Sequence, residues 1–276
     1  MRKVYILNAK GEKELFSKAK VYRSLIKTGV KANIAKVICK EIEKVVYSGM
    51  KTSEIFKKVR QLLKRYSPQT ALKYNLREGM RKLGPTGFPF EKYVGRILES
   101  LGFKVKLNQR LDGKCFKGYE IDFIAQNKYF YIGECKYHQF IGKRVHLPTI
   151  LAFKAKFTDL KKKDLKNKRA IPILVTNTKF SNNSIKFSKC AGIKLLGWKY
   201  PEKQGLEDLI AQKNLYPVTV LSIKKDLLDI LVSEKLMLAQ DLLKIDSFKF
   251  CKKYKIKIER FNRIIKQARM LLYGKT

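Results

Sequence analysis

Two apolar, strand-like runs between residues 119 and 136 each contain charged side chains, and this feature constrains the fold more than any other. Asp122 lies within the first run, and Glu134 and Lys136 lie at the end of the second. Burying an unpaired charge is costly, so charged residues in apolar strands indicate that partners are nearby. The short link at 126–128 suits a tight hairpin. Because strand side chains alternate in direction, such a hairpin sets Asp122 opposite or diagonal to Glu134, with Lys136 on the same face.

Two carboxylates and an ammonium that converge in this way predict a divalent-cation site with a lysine beside it. Mg²⁺, or Mn²⁺ in its place, prefers carboxylate and water ligands. We expect Asp122 and Glu134 to bind the metal together with the backbone carbonyl of Cys135. Lys136 is expected to orient a water molecule or to stabilise charge that develops on a phosphate. Glu91, on the edge of the apolar stripe of a helix predicted before the hairpin, is expected to face the site and hold a second metal or its water shell.

The charge balance predicts a polyanionic partner. The chain has 276 residues, of which 62 are Lys or Arg and 23 are Asp or Glu, and its formal net charge is +39. Such an excess indicates nucleic acid first and an anionic membrane surface second, whereas a lysine-rich genome is the plain alternative. A basic helix predicted at 147–166 offers lysines, Lys154 and Lys156 among them, that either line a phosphate track or form a solvated face.

Targeting and cysteine patterns predict a reducing, cytoplasmic location. No apolar run approaches the length of a membrane span, and the N-terminus lacks the apolar core of a signal peptide, so no membrane insertion is expected. The five cysteines are scattered and form no Cys-x-x-Cys pair. The sequence therefore predicts neither a zinc site nor a disulfide framework.

Apolar periodicity predicts an α/β protein of three parts: a mainly helical part at 1–84, an α/β part at 85–200 and a small helical part at 201–276. The clearest break is the segment at 83–87, which contains proline and glycine. The central part is expected to form a mixed sheet flanked by helices. Besides the hairpin, its predicted elements are a helix at 88–101, a strand at 103–107, the basic helix at 147–166, a strand at 171–176 whose proline indicates an early or edge position, a helix at 183–190 and a strand at 193–198.

These residues, taken in order, resemble the PD-(D/E)xK nuclease pattern. Glu91, then Asp122 and then the Glu-Cys-Lys run at 134–136 follow that pattern, with Ile121 at the position of its proline. The resemblance implies a restriction-endonuclease-like fold over residues 88–200 and a metal-dependent DNA endonuclease in which the charged residues of the pattern are catalytic. Further segments resemble the central helix and closing segments of Mrr-like restriction endonucleases: 153–159, 174–177, 179–181 and 192–198.

The N-terminal part resembles an ATP-cone, the nucleotide-sensing module of ribonucleotide reductases. Residues 4–16 match the opening of that module, and 24–29 match its first helix. Where those modules carry basic residues, this chain has Leu7 and Asn8. The resemblance implies ATP or dATP as an effector. The lysines expected to approach the nucleotide phosphates instead are Lys10, Lys18 and Lys20.

The sequence therefore predicts a magnesium-dependent DNA endonuclease with an ATP-cone-like domain, acting in restriction or in DNA repair. Paired cuts on a duplex generally need two active sites, so symmetry favours a homodimer. Two alternatives stay open. One is a nucleotide-responsive DNA-binding regulator that does not cleave, and the other is a repair-complex protein that binds branched DNA through its charge.

Overall fold

The structure, a computed structural model, describes residues 3–8, 11–84, 87–140 and 142–274. The chain divides into two compact units. The first consists of Met1–Gly79, Val220–Ser222 and Leu242–Thr276, and the second consists of Met80–Thr219 and Ile223–Asp241. The three-part division at residues 84 and 200 stays a prediction, and the residues after 200 contribute to both units.

The strands of the described residues are β1 (Tyr5–Leu7), β2 (Lys13–Leu15), β3 (Lys104–Leu111), β4 (Tyr119–Gln126), β5 (Phe130–Lys136), β6 (Arg144–Val145), β7 (Ala170–Thr176), β8 (Lys179–Phe180) and β9 (Lys194–Leu196). The α-helices are α1 (Lys18–Lys27), α2 (Ala32–Val45), α3 (Thr52–Tyr66), α4 (Pro68–Tyr74), α5 (Leu76–Arg81), α6 (Phe88–Ser100), α7 (Leu147–Leu160), α8 (Asn182–Ala191), α9 (Leu206–Lys213), α10 (Lys225–Ser233), α11 (Ser247–Tyr254) and α12 (Ile258–Tyr273). Two 3₁₀ helices lie at Val218–Val220 and Ala239–Lys244. Of the helices in the described residues, none combines the length and the apolar character needed to cross a membrane.

The first unit is mainly helical, and its core is built from one face of each of α1, α2 and α3. The apolar stripe of α2 buries Ile38 and Ile42 in the same core as Leu25 of α1 and Val59 of α3. Strand β1 pairs with β2 in antiparallel fashion.

The C-terminal helix α12 belongs to this first unit and packs against α4. The side-chain amide of Gln69 in α4 donates a hydrogen bond to the carbonyl of Leu271 at 3.2 Å. The helices expected after residue 200 are confirmed as α9 to α12. The apolar stripe that α12 buries is Phe261, Ile264, Ala268 and Leu271.

The second unit is built on a five-stranded sheet with the order β3-β4-β5-β7-β9. Strands β3, β4 and β5 are antiparallel neighbours, whereas β5, β7 and β9 run parallel. Parallel neighbours need crossover connections, and here α7 follows β5 and α8 follows β7 along the chain. Helix α6 packs against β3 and β4, and α8 packs against α7 and β9. The expected α/β architecture, a mixed sheet with flanking helices, is therefore confirmed.

The hairpin predicted for the charged strands is confirmed as β4 and β5. Hydrogen bonds within 127–129 close its turn. The register pairs Phe123 of β4 with Gly133 of β5. Continued by one residue, the same register sets Asp122 opposite Glu134 on one face of the sheet.

The basic helix differs from the expectation, because α7 ends at Leu160 and not near residue 166. The following residues form turns that are held by tertiary contacts. Asp164 accepts the backbone N–H of Asp112 at 2.7 Å, and Leu165 is fully buried in the core. These contacts with another loop outweigh the local helical pattern, and the sequence of the helix does not contain them.

Strand β7 shows why its proline is tolerated. Pro172 lies near the start of the strand, opposite Ile132 of β5. The pairing with β9 begins only one residue later, where Ile173 lies opposite Lys194. The early position of the proline is confirmed, whereas an edge position is wrong for the strand, since β7 has a neighbour on each side.

Gly133 allows the buried ring of Phe123 to lie against the β5 backbone. A Cβ atom at position 133 would overlap the Phe123 ring, which is fully buried. We expect Gly133→Ala to lower the free energy of unfolding by about 1–3 kcal/mol, because the ring must leave its packed position. Chemical denaturation of the purified variant measures this loss.

The matched control for this prediction is Gly87→Ala. Gly87 has a helical backbone with φ −68°, and a Cβ there would meet only the flexible Glu91 side chain, at 3.2 Å. Its free energy of unfolding is expected to stay the same or to rise slightly. Equal losses in the two variants would contradict the prediction.

Candidate active site

The alternating direction of side chains along β4 and β5 decides which residues of the hairpin are buried and which share one face. In β4, Asp122 is half-buried between the buried residues Ile121 and Phe123. At the end of β5, the side chain of Glu134 is 10% exposed and that of Lys136 is 40% exposed. The structure therefore brings the three residues expected from the sequence to one place, with the lysine nearest to solvent.

Glu134 is the centre of the cluster, because each of its carboxylate oxygens is held by a lysine. Lys136 Nζ lies 2.6 Å from Oε1, and Lys156 Nζ lies 2.7 Å from Oε2. Lys156 comes from α7 and also donates to the backbone carbonyl of Glu120, at 2.9 Å. Its side chain is 20% exposed. Such charge-assisted hydrogen bonds offset the cost of removing the carboxylate from water.

Asp122 is oriented by the neighbouring strand. Its Oδ2 atom accepts the backbone N–H of Cys135 at 2.6 Å. Burial, followed by the charge of Glu134, raises the pKa of Asp122 to about 6, although the Cys135 amide and the two nearby lysines act in the opposite direction. Burial and the neighbouring Glu134 together therefore outweigh the groups that favour the charged form of Asp122.

Glu91, in the first turn of α6, is the third carboxylate of the cluster. Burial, followed by the charges of Asp122 and Glu134, raises the pKa of Glu91 to about 7, against the opposing effect of Lys136. Burial by itself would lower the pKa of Lys136, but the adjacent Glu134 and Asp122 raise it. All four side chains expected from the sequence thus lie within electrostatic reach of one another.

This donor set fits a divalent cation of the Mg²⁺ type. Mg²⁺ is held in proteins by one or two carboxylates and several waters, and Asp122 and Glu134 supply two carboxylates from adjacent strands. A cation between them would offset both the burial and the Glu134 charge that raise the pKa of Asp122. Among the described residues, no group of three or more His, Cys, Asp or Glu side chains is arranged to hold a metal alone. Waters or backbone oxygens would complete the shell, and the carbonyl of Cys135 stays a predicted ligand.

The helical pattern of the sequence does not decide whether Lys156 lines a phosphate track or belongs to a solvated face. The structure directs its ammonium to Glu134, whereas Lys154 donates to the carbonyl of Ala191 at 3.0 Å. A signal for this role exists in the sequence, because Lys156 falls on the apolar stripe of α7, next to Phe157. A lysine on a buried helical face indicates a buried acceptor.

The backbone after Glu134 is held by the segment at 176–178. Thr176 donates through Oγ1 to the carbonyl of Lys136 at 2.6 Å. Asn177 accepts the N–H of His138 and donates to its carbonyl, both at 2.8 Å. The pKa of His138 is lowered, chiefly by burial. These bonds fix the backbone that carries Lys136, so β7 and the residues after it set the direction of this lysine.

The nucleotide candidates lie in the first unit, away from the hairpin in sequence. Lys10 falls outside the described residues. Lys18 Nζ lies 2.6 Å from Glu43, and Lys20 Nζ lies 3.2 Å from Glu14. Lys18 also borders a pocket of about 520 Å³, whose other lining residues are Ala19, Tyr22, Lys36, Cys39 and Lys40.

The chain is similar to proteins that have no assigned activity. Residues 216–272 match the family described as AF1548-like, C-terminal. An uncharacterized protein of Archaeoglobus fulgidus is 40% identical over 151 residues, which cover 54% of this chain and 83% of the relative. The crystal structure of the protein of unknown function AF1548 superposes with a TM-score of 0.60 and 34% identity, over 69% of this chain and 100% of that chain.

A more distant likeness links the chain to a nuclease of known type. The DNA modification-dependent restriction endonuclease AspBHI superposes with a TM-score of 0.38 and 15% identity, over 62% of this chain and 40% of that chain. At this level of similarity, the likeness assigns no chemistry to the site.

The bond between Lys156 and Glu134 can be tested by stability measurements. Lys156→Met is expected to lower the free energy of unfolding by about 1.5–3 kcal/mol, because a nearly buried carboxylate loses a charged donor. Combined with Glu134→Gln, the loss is expected to be smaller than the sum of the single losses, since no uncompensated charge remains. The exposed Lys162→Met serves as the control and is expected to change little. Strictly additive losses in the double-mutant cycle would contradict the prediction.

Proposed function

This chain belongs to the AF1548-like family, and from the chemistry of its hairpin site we propose that it is a metal-dependent DNA endonuclease that hydrolyses phosphodiester bonds. The observation that carries the proposal is Glu134, which lies nearly buried opposite Asp122 and between the ammonium groups of Lys136 and Lys156. Phosphodiester hydrolysis needs an activated water, neutralisation of the phosphate charge and support for the leaving oxygen. Carboxylates and lysines at a single point supply the groups for all three.

Each of the two strands supplies ligands for the proposed metal. In this proposal Asp122 from β4 and Glu134 from β5 hold Mg²⁺ or Mn²⁺, together with the carbonyl of Cys135. When bound, the cation supplies Lewis-acid activation of water and phosphate. Glu91 adds a third carboxylate from α6 and anchors a second cation or its water shell. The hydrogen bond from the Cys135 amide keeps the Asp122 carboxylate turned toward β5.

The two lysines have different tasks because they lie at different depths. An ammonium has three donors and no acceptor, so Lys136 can hold Glu134 and still donate to a phosphate oxygen. Its side chain is 40% exposed, and it is the one that meets the substrate. Lys156 is deeper and holds the second oxygen of Glu134, so it positions that carboxylate. Lys136 thus stabilises the charge that grows on the phosphate during attack.

The proposed fold and setting follow from the same residues. The mixed sheet with its flanking helices is proposed to be a restriction-endonuclease-like sheet of the PD-(D/E)xK, Mrr-like type. DNA is the proposed substrate because the chain carries a formal charge of +39 and therefore attracts polyanions. Restriction and repair both use such chemistry, and cutting both strands of a duplex favours a homodimer.

One observation favours a second candidate function, a DNA-binding regulator or repair-complex protein that does not cleave. Both carboxylate oxygens of Glu134 already accept a hydrogen bond from a lysine. A metal must therefore share these oxygens with the lysines or displace one of them. If the ion pairs persist in the presence of metal, the hairpin serves as a structural ion cluster and the basic surface alone acts on DNA.

The two functions differ in one measurement, the metal-dependent conversion of supercoiled plasmid to nicked or linear DNA. Wild-type protein with Mg²⁺ or Mn²⁺ is expected to cut, and a chelator is expected to stop the reaction. Asp122→Ala and Lys136→Ala are expected to reduce the cleavage rate by at least about 10²-fold, because each removes a charged group that stabilises the transition state. Both variants are expected to keep their affinity for DNA.

The matched control for the cleavage assay is Glu120→Gln. Glu120 lies on the same strand as Asp122, but its side chain is 80% exposed and is directed to Arg110. Its loss is expected to leave the rate unchanged. Cleavage that persists in the Asp122 and Lys136 variants would overturn the nuclease proposal. A wild-type protein that binds linear, methylated and branched DNA but cuts none of them with either metal would favour the regulator.

Nucleotide binding by the first unit is a separate proposal, in which this unit is an ATP-cone that senses ATP or dATP. The pocket beside Lys18 supports it, because Lys36 and Lys40 add positive charge around Tyr22. Isothermal titration calorimetry is expected to detect ATP or dATP binding, and Lys18→Ala is expected to weaken it. Lys57→Ala, a change at an exposed residue of α3, is the control. Calorimetry without a binding signal would remove the effector and leave the nuclease proposal unaffected.

A further inference from the structure

The C-terminal helix α12 has two opposite faces. One face is its buried apolar stripe, which runs from Phe261 to Leu271 in the core of the first unit. At 3.6 residues per turn, the positions half a turn away from this stripe form a separate exposed strip. The exposed residues that form this strip are Asn262, Arg263, Lys266 and Arg269.

The exposed strip carries three cations, and one exposed carboxylate, Glu259, lies four residues before Arg263 on the same helix face. Arg263, Lys266 and Arg269 extend over seven residues of α12, or about 9 Å of helix. Within the part of the chain that the structure describes, none of these three cations forms an ion pair with a carboxylate. Arg263 donates only to the backbone carbonyl of Glu259, at 3.3 Å. Among the described residues, the three cations therefore face solvent outside any ion pair.

The junction before α12 extends the strip. Helices α11 and α12 are connected by three residues, of which Lys255 has a left-handed backbone with φ 51°. The ring of Phe250 in α11 stacks on that of Phe261 in α12, with centroids 5.0 Å apart. This stacking fixes the short corner. Exposed lysines at 252 and 257 therefore lie on either side of a rigid turn that leads into the strip.

The residue types favour nucleic acid over a lipid surface. The strip contains two of the chain's 13 arginines, Arg263 and Arg269. Arginine binds phosphate through two parallel hydrogen bonds and also contacts the guanine edge, and asparagine contacts the adenine edge. A membrane-surface helix must insert its apolar stripe into the bilayer, whereas the apolar stripe of α12 is buried in the protein core.

We infer that the strip formed by Asn262, Arg263, Lys266 and Arg269 is a docking surface for duplex DNA, made of residues of which none belongs to the hairpin site. The inference rests on the proposed function for its choice of DNA as the partner. A single helix fits the major groove of B-form DNA, with cations displacing the counterions of the phosphates. The chain thus recognises DNA through a helix in the first unit as well as through the hairpin in the second.

The test compares two triple variants of the full chain in binding to a fluorescent duplex of about 25 base pairs, in the presence of a chelator. The first variant is Arg263→Gln, Lys266→Gln and Arg269→Gln. The second, the control, is Lys57→Gln, Lys58→Gln and Lys64→Gln, which removes the same charge from exposed positions of α3 in the same unit. All changes are at exposed side chains, and circular dichroism checks that both variants stay folded.

The expected result is a loss of affinity specific to α12. Its variant is expected to bind at least about 10-fold more weakly than wild type, and the slope of log K against log salt is expected to shrink by about 2–3, since each phosphate contact contributes about 0.9. The α3 variant is expected to change affinity by less than about 3-fold. Equal losses in the two variants, or no loss in the α12 variant, would overturn the inference.

The same proteins separate this inference from the nuclease proposal. A wild type that binds through α12 but does not cleave with metal would remove the nuclease proposal and leave the docking surface standing. A wild type that cleaves, paired with an α12 variant that binds as tightly as wild type, would remove the docking surface alone. A wild type that does not bind the duplex would overturn the docking surface.

Discussion

The rest of the second unit is arranged around one buried carboxylate, Glu134, and its two lysines. Lys136 is local to the strand, but Lys156 comes from α7, so the ion cluster ties the helix to the middle of the sheet. A buried ion cluster is seldom the most stable solution for a core, since apolar residues of similar volume serve as well or better. A catalytic role would explain why these charges occupy the site. The two lysines offset the cost of burying the Glu134 carboxylate.

The site and the surface use charge in opposite ways. The chain has 62 basic and 23 acidic residues, yet three of its carboxylates, Glu91, Asp122 and Glu134, share one place in the second unit. Their repulsion, added to burial, raises the pKa of Asp122 to about 6 and that of Glu91 to about 7. A polyanion is attracted to the basic surface, whereas a small cation is attracted to the acidic cluster. A metal-dependent enzyme acting on nucleic acid needs both properties in one molecule.

The proposed division of labour follows the two units. The second unit holds the charged groups at the end of β5, where backbone bonds from Thr176 and Asn177 keep the strand in place. The first unit contains α12. The apolar stripe of this helix is buried in the core of the unit, and its opposite face is the proposed docking surface. Rigid placement suits catalysis, because misplaced groups lose most of their effect. Exposed cations suit binding, because displaced counterions contribute much of the affinity for DNA.

The sequence by itself determined the hairpin and a position of Asp122 opposite or diagonal to Glu134, because strand alternation and a short turn limit the register locally. The register of the structure selects the opposite position. It also determined the helices whose apolar stripes are long and regular, such as α2 and α12. Only the tertiary structure decided that Lys156 bonds Glu134 and that α7 ends at Leu160. These features depend on contacts between elements far apart in the chain, where burial and nearby charges, unlike local periodicity, set the energies.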